Sequence, residues 1–136
     1  MILVDSDVIF DLLDNDPQWC GWSGAQLQRW AQLDQMTVNA IVYAEISPRY
    51  RSEAKVDELL KELKLDFAEI PRSAAFLAGK AHFLYKRQGG ARPSTLPDFF
   101  IGAHATVLGC SILTRDTRRY ATYFPTVPLI APPIAK

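Results

Sequence analysis

Short apolar runs that alternate with helix-forming segments limit the possible fold of this chain more than any other feature. The runs typical of buried strands are ILV at 2–4, MTVNAI at 36–41, DFAEI at 66–70, SILT at 111–114 and VPLI at 127–130. Alternation of strands and helices is typical of parallel sheets, and right-handed crossovers then place helices on both faces. The sequence therefore predicts an α/β fold with a central, mostly parallel sheet.

The intervening helices are predicted from apolar spacing and from capping residues. Ser52 is expected to cap the amphipathic segment SEAKVDELLKELK, and Ser23 is expected to cap SGAQLQRWAQL. A helix is predicted over 98–109, where the small Gly102 would allow close approach to the sheet. A further short helix is predicted over 115–124.

Length and composition favour one soluble domain that spans residues 1–136. The chain has 136 residues, of which 49% are hydrophobic and 22% are charged, and it contains no internal repeat. No apolar run approaches the roughly 20 residues that cross a bilayer, so no membrane segment is expected. Two cysteines are too few for a disulfide scaffold, and no basic residue precedes Arg29 as in a signal peptide, so we expect a cytoplasmic location.

The charged residues are unevenly distributed although the formal net charge is zero. Residues 1–20 contain five acids and no base, whereas residues 72–119 contain eight bases and two acids. A basic region beside an acidic cluster could guide a polyanion towards a cation site. Solvated helix faces that carry Lys and Arg would give the same pattern, so the distribution leaves both interpretations open.

Four acidic residues from distant parts of the sequence are expected at one edge of the sheet. Asp5 directly follows the first strand, and Asp116 lies two residues beyond the strand SILT. Glu45 comes about one helical turn after the second strand, and Asp98 lies in the first turn of its helix. Ligands of open parallel sheets bind beyond the carboxyl ends of the strands. Each acid could instead be a helix cap, as the Thr95-x-x-Asp98 spacing illustrates.

A convergence of four carboxylates predicts a cation. Two like charges about 4 Å apart repel by about 4 kcal/mol at an effective dielectric constant of 20. Oxygen ligands suit Mg²⁺ or Mn²⁺. Zinc is disfavoured because His82 and His104 lie on predicted helices without the spacing of paired ligands.

The chain resembles the PIN domain family, and most closely the VapC-type toxins of toxin–antitoxin pairs. The resemblance rests on MILVDSDVIFDLL, VNAIVYAEI, LPDFFIGAHA and SILTRDTRRYATYFPTVPLIAP, which occur in the family order. It implies a three-layer α/β/α sandwich and a Mg²⁺- or Mn²⁺-dependent endoribonuclease of a type II toxin–antitoxin system. It also implies an RNA substrate, a VapB-type antitoxin as partner and a homodimer.

The resemblance assigns roles to particular residues. The implied metal ligands and catalytic acids are Asp5, Glu45, Asp98 and Asp116, and Thr114 matches a hydroxyl that supports the site. Asp7 stands where relatives often carry Asn, so its charge would either strengthen metal binding or face solvent. The candidate contacts to RNA phosphates are Arg115, Arg118 and Arg119, although Arg115 could instead pair with a neighbouring acid.

Two other functions fit parts of the same sequence. Asp5-Ser6-Asp7 after a strand is similar to the D-x-D motif of haloacid-dehalogenase-like phosphatases, in which Asp5 would be the nucleophile. That chemistry would make Asp7 essential. In the second alternative the domain only binds a partner protein, and its acids are helix caps.

Overall fold

A five-stranded parallel sheet forms the centre of the structure, a computed structural model that describes residues 1–90 and 95–133. The strands are β1 (Ile2–Val4), β2 (Met36–Val38), β3 (Leu65–Phe67), β4 (Ser111–Leu113) and β5 (Leu129–Ile130). Their order is β3-β2-β1-β4-β5, and the neighbouring strands run parallel throughout. The predicted α/β class and the parallel sheet are therefore confirmed.

Within residues 1–90 and 95–133, six α-helices connect the strands from β1 to β4. They are α1 (Ser6–Leu13), α2 (Cys20–Leu33), α3 (Ala40–Ile46), α4 (Glu53–Glu62), α5 (Arg72–Arg87) and α6 (Leu96–Leu108). The chain moves from β1 to β3 in one direction and then returns past β1 to β4. Right-handed crossovers therefore place α1–α4 on one face and the α5–α6 pair on the other, which gives the expected sandwich.

The strands at the centre of the sheet are fully covered. Leu3 and Val4 of β1 and Ile112 and Leu113 of β4 have no accessible surface. Burial on both faces explains why these strands are short continuous apolar runs rather than alternating ones. Among residues 1–90 and 95–133, no helix combines the length and apolar character needed to cross a lipid bilayer.

The second strand is shorter than predicted because Asn39 ends it. The Asn39 side-chain oxygen accepts hydrogen bonds from the backbone N–H groups of Ile41 and Val42 and thereby caps α3. Its amide nitrogen then faces Nδ1 of buried His104 at 3.2 Å. His104 is a packed core residue, and burial lowers its pKa.

Two predicted helix boundaries are wrong. Helix α2 begins at Cys20, so Ser23 lies inside it and its hydroxyl donates to Asp11 Oδ2 at 2.6 Å. The predicted helix over 115–124 is only a 3₁₀ turn at Thr117–Arg119. Tyr120 and Phe124 are buried after this turn, so core packing rather than helical spacing determines the path of the segment.

Gly102 of α6 accommodates an aromatic ring. A Cβ atom at this position would lie 2.2 Å from Cδ2 of Phe124, far inside contact distance. Phe124 is itself buried and packs against Phe99, with the ring centroids 5.9 Å apart. The small residue predicted to bring α6 close to the sheet therefore makes room for the segment that follows β4.

We expect Gly102→Ala to lower the free energy of unfolding by about 1–3 kcal/mol, because the added methyl group must displace the buried Phe124 ring. Gly79→Ala in α5 is the matched control, since a Cβ there meets nothing within 4 Å. It should raise stability by about 0.5–1 kcal/mol, the usual gain from replacing Gly inside a helix. Urea denaturation measures the stability of both variants, and equal effects would contradict the close contact between Gly102 and the Phe124 ring.

Candidate active site

The carboxylate of Asp5 lies at the carboxyl end of β1 and is completely buried. The backbone N–H of Asp5 donates to the carbonyl of Leu113 at 2.9 Å, which continues the β1–β4 ladder beyond the last paired residues. The side chain of Asp5 caps α1, because its Oδ1 accepts from the Ser6 N–H at 2.8 Å. Two backbone constraints therefore hold this carboxylate in place.

Three side chains converge on the other oxygen of Asp5. Oδ2 accepts from the Tyr120 hydroxyl at 2.7 Å and from the Thr114 hydroxyl at 2.9 Å. Nη1 of Arg119 lies 3.4 Å from the same oxygen. Burial raises the pKa of Asp5, while Tyr120, Arg119 and Thr114 oppose that rise. The donors thus compensate a buried charge that the apolar sheet alone would not tolerate.

Thr114 and Asp116 follow β4 directly and bind each other. The Thr114 hydroxyl accepts from the Asp116 N–H at 3.1 Å while it donates to Asp5. Asp116 Oδ1 accepts from the Arg118 N–H at 3.0 Å, so this acid caps the 3₁₀ turn. The Thr114 hydroxyl therefore contacts the carboxylate of Asp5 and the backbone of Asp116.

Arg119 is the cation at the centre of an acidic cluster. This acidic cluster consists of Asp5, Asp7, Glu45, Asp98 and Asp116. Its Nη1 approaches Asp5 and its Nε lies 3.4 Å from Asp116 Oδ2. Burial alone would lower the pKa of this guanidinium, but the charges of Asp5, Asp98 and Asp7 raise it overall. Arg119 therefore interacts electrostatically with acids that come from three separate segments of the chain.

Glu45 joins the cluster from α3. Although it is among the exposed residues of that helix, partial desolvation of its carboxyl group raises its pKa. The charges of Asp5 and Asp98 raise this pKa further, whereas a hydrogen bond with the Ser6 side chain and the charge of Arg119 lower it. The exposed face of Glu45 leaves this acid accessible from solvent.

Asp98 lies at the third position of α6 and takes part in a capping box. Its Oδ2 accepts from the backbone N–H of Thr95 at 3.1 Å. The cap anticipated from the T-x-x-D spacing is therefore present. The charge of Asp98 also acts on Glu45 and on Arg119, so capping and membership of the acidic cluster coexist in one side chain.

Asp7 is a largely buried member of the same cluster, and the expectation that it could simply face solvent is wrong. Its Oδ2 accepts from the Arg115 N–H at 3.2 Å and lies 3.3 Å from the Thr114 hydroxyl. Burial, followed by the negative charge of Asp5, raises the pKa of Asp7 to about 7. Asp7 therefore keeps its proton up to a higher pH than an ordinary aspartate does.

The three arginines proposed to contact phosphates have different environments. Nε of Arg115 donates to Asp11 Oδ2 at 2.6 Å, and the guanidinium lies 5.3 Å from the Trp19 ring centroid. Arg115 thus pairs with an acid, as the alternative interpretation anticipated. Arg118 forms a longer ion pair with Asp116, at 3.8 Å, but it is 75% exposed and is therefore the most exposed of the three arginines.

Sequence reasoning missed the roles of Tyr120, Ser6 and Arg119 in holding the acids. No local signal marks Tyr120, because its hydroxyl reaches Asp5 across 115 residues of sequence. A basic residue three positions after Asp116 was a usable signal for the Arg119–Asp116 pair, which has the spacing of neighbours on a helical turn.

The oxygen atoms available as metal ligands at this site are of the kind that a hard divalent cation prefers. The side chains are carboxylates and hydroxyls, whose oxygens suit Mg²⁺ or Mn²⁺. Within residues 1–90 and 95–133, however, no three His, Cys, Asp or Glu side chains are grouped closely enough to hold a metal ion. Arg119 instead pairs with Asp5 and Asp116, so an entering cation would compete with the guanidinium for their oxygens.

Fold and site together define a class of protein: a parallel α/β domain with an acidic cluster at the carboxyl edge of its central strands. The sequence model of the PIN domain family matches residues 2–125. The chain therefore belongs to the PIN domain family. No curated protein matches the chain significantly.

Solved structures with the same fold come from toxin–antitoxin complexes. A chain of the Rickettsia felis VapBC2 complex with a promoter DNA fragment is 15% identical, with a TM-score of 0.71 over 96% of this chain and 98% of that one. A chain of DNA-bound VapBC from Salmonella typhimurium is 18% identical, with a TM-score of 0.70 over 96% of each chain. A chain of VapBC-1 from nontypeable Haemophilus influenzae is 21% identical, with a TM-score of 0.70 over 96% of this chain and 98% of that one.

Arg119→Gln should lower the free energy of unfolding by about 1–3 kcal/mol, because it leaves the buried Asp5 and its neighbours without their cation. Arg118→Gln is the matched control one position earlier, and its exposed side chain predicts a change within about 0.5 kcal/mol. Denaturant unfolding at low salt without divalent ions compares the two. Equal stabilities would refute the proposed central position of Arg119.

Proposed function

We propose that this chain is a Mg²⁺- or Mn²⁺-dependent endoribonuclease and the toxin of a type II toxin–antitoxin pair. One observation carries the proposal. Acids from four separate segments meet electrostatically around Arg119 at the carboxyl edge of the sheet, and Asp5 and Asp98 raise the pKa of Glu45. A stabilising role alone does not require such repulsion, because caps at separate helix ends need not face one another.

The residues that would hold the cation are Asp5, Asp98, Asp116 and Glu45. When bound, a divalent ion lowers the pKa of a coordinated water and neutralises charge on the scissile phosphate. Thr114 and Tyr120 position Asp5 through its Oδ2, and Ser6 positions it through Oδ1. These donors fix the direction of the carboxylate before any ligand arrives.

Glu45 is suited to a proton-accepting role. It is the exposed acid of the cluster, and its raised pKa brings it closer to the pH at which proton transfer is most efficient. We assign Glu45 the orientation or deprotonation of the attacking water, in addition to cation binding. Arg118 is assigned a contact to the RNA backbone because it is the most exposed of the three arginines and its carboxylate contact, at 3.8 Å, is the longest. Arg115 and Arg119 would first have to leave their carboxylate partners.

The comparisons support a partner as well as an activity. The fold neighbours include VapBC complexes and FitAB bound to a DNA fragment, in each of which one chain is matched over 94–98% of its length. We infer a VapB-type antitoxin as the partner of this chain and a homodimer as its assembly. Co-expression with an adjacent small reading frame would relieve growth inhibition caused by the chain alone.

Asp5→Asn and Asp116→Asn should each reduce Mg²⁺-dependent cleavage of RNA by about 100-fold or more, the usual scale for loss of one preorganised electrostatic group. Glu58→Gln is the control, since Glu58 is an exposed acid of α4 whose contact is to Lys55. Gel analysis of a 5′-labelled RNA measures cleavage, and circular dichroism verifies folding. Full activity of folded Asp5→Asn protein would exclude the mechanism.

Asp7→Asn separates the nuclease from the phosphatase alternative. A nuclease that depends on the four proposed acids should retain most of its activity, because an amide can still occupy the position of Asp7 beside Thr114 and Arg115. A phosphatase that used Asp7 as its acid would lose hydrolysis of p-nitrophenyl phosphate.

A further inference from the structure

The outer face of α5 carries cations and aromatic rings in alternation. The cation–aromatic stripe consists of Arg72, Phe76, Lys80, Phe83 and Arg87, separated by four, four, three and four positions. Residues three and four apart lie on the same face of an α-helix. The stripe therefore forms a continuous row about 22 Å long, given the 1.5 Å rise per residue.

The aromatic members of the stripe are turned to solvent. Phe76 is 69% exposed and Phe83 is 59% exposed, the highest values among the large apolar side chains of α5. The opposite face of the helix is buried through Ala74, Ala78 and Ala81. The two rings consequently have no role in the core, although their exposure costs hydrophobic free energy.

Two of the three cations of the stripe, Lys80 and Arg87, lie beside its rings. Nζ of Lys80 is 5.4 Å from the Phe76 ring centroid, and Cζ of Arg87 is 5.8 Å from that of Phe83. Helix α5 contains no Asp or Glu, and none of its cations forms an ion pair with any residue of 1–90 or 95–133. The stripe is thus an uncompensated positive surface with exposed π systems.

The side of α5 opposite the stripe packs on the first turn of α6. His82 and Tyr85 contact the Phe99 ring at centroid distances of 5.3 and 5.4 Å. Phe99 directly follows Asp98 in the first turn of α6. The C-terminal end of the stripe therefore lies at the same end of the α5–α6 pair as Asp98, while the stripe itself faces outward.

Charge decides between a second copy of the chain and a polyanion as the occupant. An antiparallel α5 pair centred between Gly79 and Lys80 would place Phe76 against the copy's Phe83. The same pairing would bring Arg72 near the copy's Arg87 and the two Lys80 side chains together, with no carboxylate on either helix. A phosphate backbone supplies the missing negative charge, and its bases supply flat partners for the rings.

We propose that the cation–aromatic stripe of α5 binds single-stranded RNA, with bases stacked on Phe76 and Phe83 and phosphates on Lys80 and Arg87. The proposal rests on the proposed ribonuclease function, because it names a surface that would hold the same RNA substrate. Stacking on exposed rings is tolerant of sequence, so this surface contributes affinity and direction rather than recognition of one sequence.

Fluorescence anisotropy with a 5′-fluorescein-labelled 12-nucleotide oligouridylate in EDTA measures binding without cleavage. Phe76→Ala/Phe83→Ala should weaken binding about tenfold or more with an unchanged salt slope, since one stacked base contributes about 1–3 kcal/mol. Lys80→Gln/Arg87→Gln should reduce the slope of log K against log salt by about 1.4, because two single-strand phosphate contacts are lost. Phe67→Ala/Lys61→Gln, changed at exposed positions outside α5, should bind like the wild type.

Heparin provides a polyanion without bases. Its binding should weaken in the cation variant and stay unchanged in the phenylalanine variant; equal weakening in both would overturn the stacking role. Affinities of both variants within twofold of the wild type would overturn the proposal. So would a change from dimer to monomer in Phe76→Ala/Phe83→Ala, seen by sedimentation, with RNA affinity per protomer preserved.

The experiments distinguish an error in the proposed ribonuclease function from an error in the proposed role of the stripe. If Asp116→Asn cleaves RNA in Mg²⁺ as fast as the wild type, the assigned active site is wrong, whatever the stripe binds. If Asp116→Asn is inactive but the α5 variants bind and cleave normally, only the stripe is wrong. Thermal unfolding of each variant separates loss of binding from loss of fold.

Discussion

The buried carboxylate of Asp5 is the constraint on which the rest of the site depends. It lies at the end of the central strand with no accessible surface, where an unpaired charge would be strongly unfavourable. Its four donors come from the α1 N-terminus, from the residue after β4, from the last residue of the 3₁₀ turn and from Tyr120 directly after it. One functional group therefore ties together segments that the sheet brings to the same edge, and any change in its charge affects them all.

The burial of Asp5 beside other acids also has an electrostatic consequence. An acidic cluster at the carboxyl edge is compatible with a stable fold because Arg119 compensates it, while Asp7 and Glu45 retain protons more readily than ordinary acids. The proposed cation and Arg119 would interact with the same carboxylates, so either of them can compensate the negative charge of this cluster. An internal arginine that can be displaced by a cation would keep the site folded before a metal ion and substrate arrive.

Local sequence patterns predicted the elements better than the contacts. Five short apolar runs gave the parallel sheet, Ser52 caps α4 as expected, and the Thr95-x-x-Asp98 spacing gave a real capping box. The positions of Ser23 and Tyr120 were not predictable, because their partners Asp11 and Asp5 lie 12 and 115 residues away. Capping depends on neighbours in sequence, whereas the neutralisation of a buried acid depends on whichever segments the tertiary fold brings together.

The central claim, that a divalent cation takes the place of Arg119 among these carboxylates, is most directly tested by anomalous diffraction from crystals equilibrated with Mn²⁺. We expect an anomalous peak bounded by oxygens of Asp5, Asp98 and Asp116, with the Arg119 guanidinium moved away from Asp5. A saturated crystal with no peak at this edge and with Arg119 still paired to Asp5 and Asp116 would contradict it.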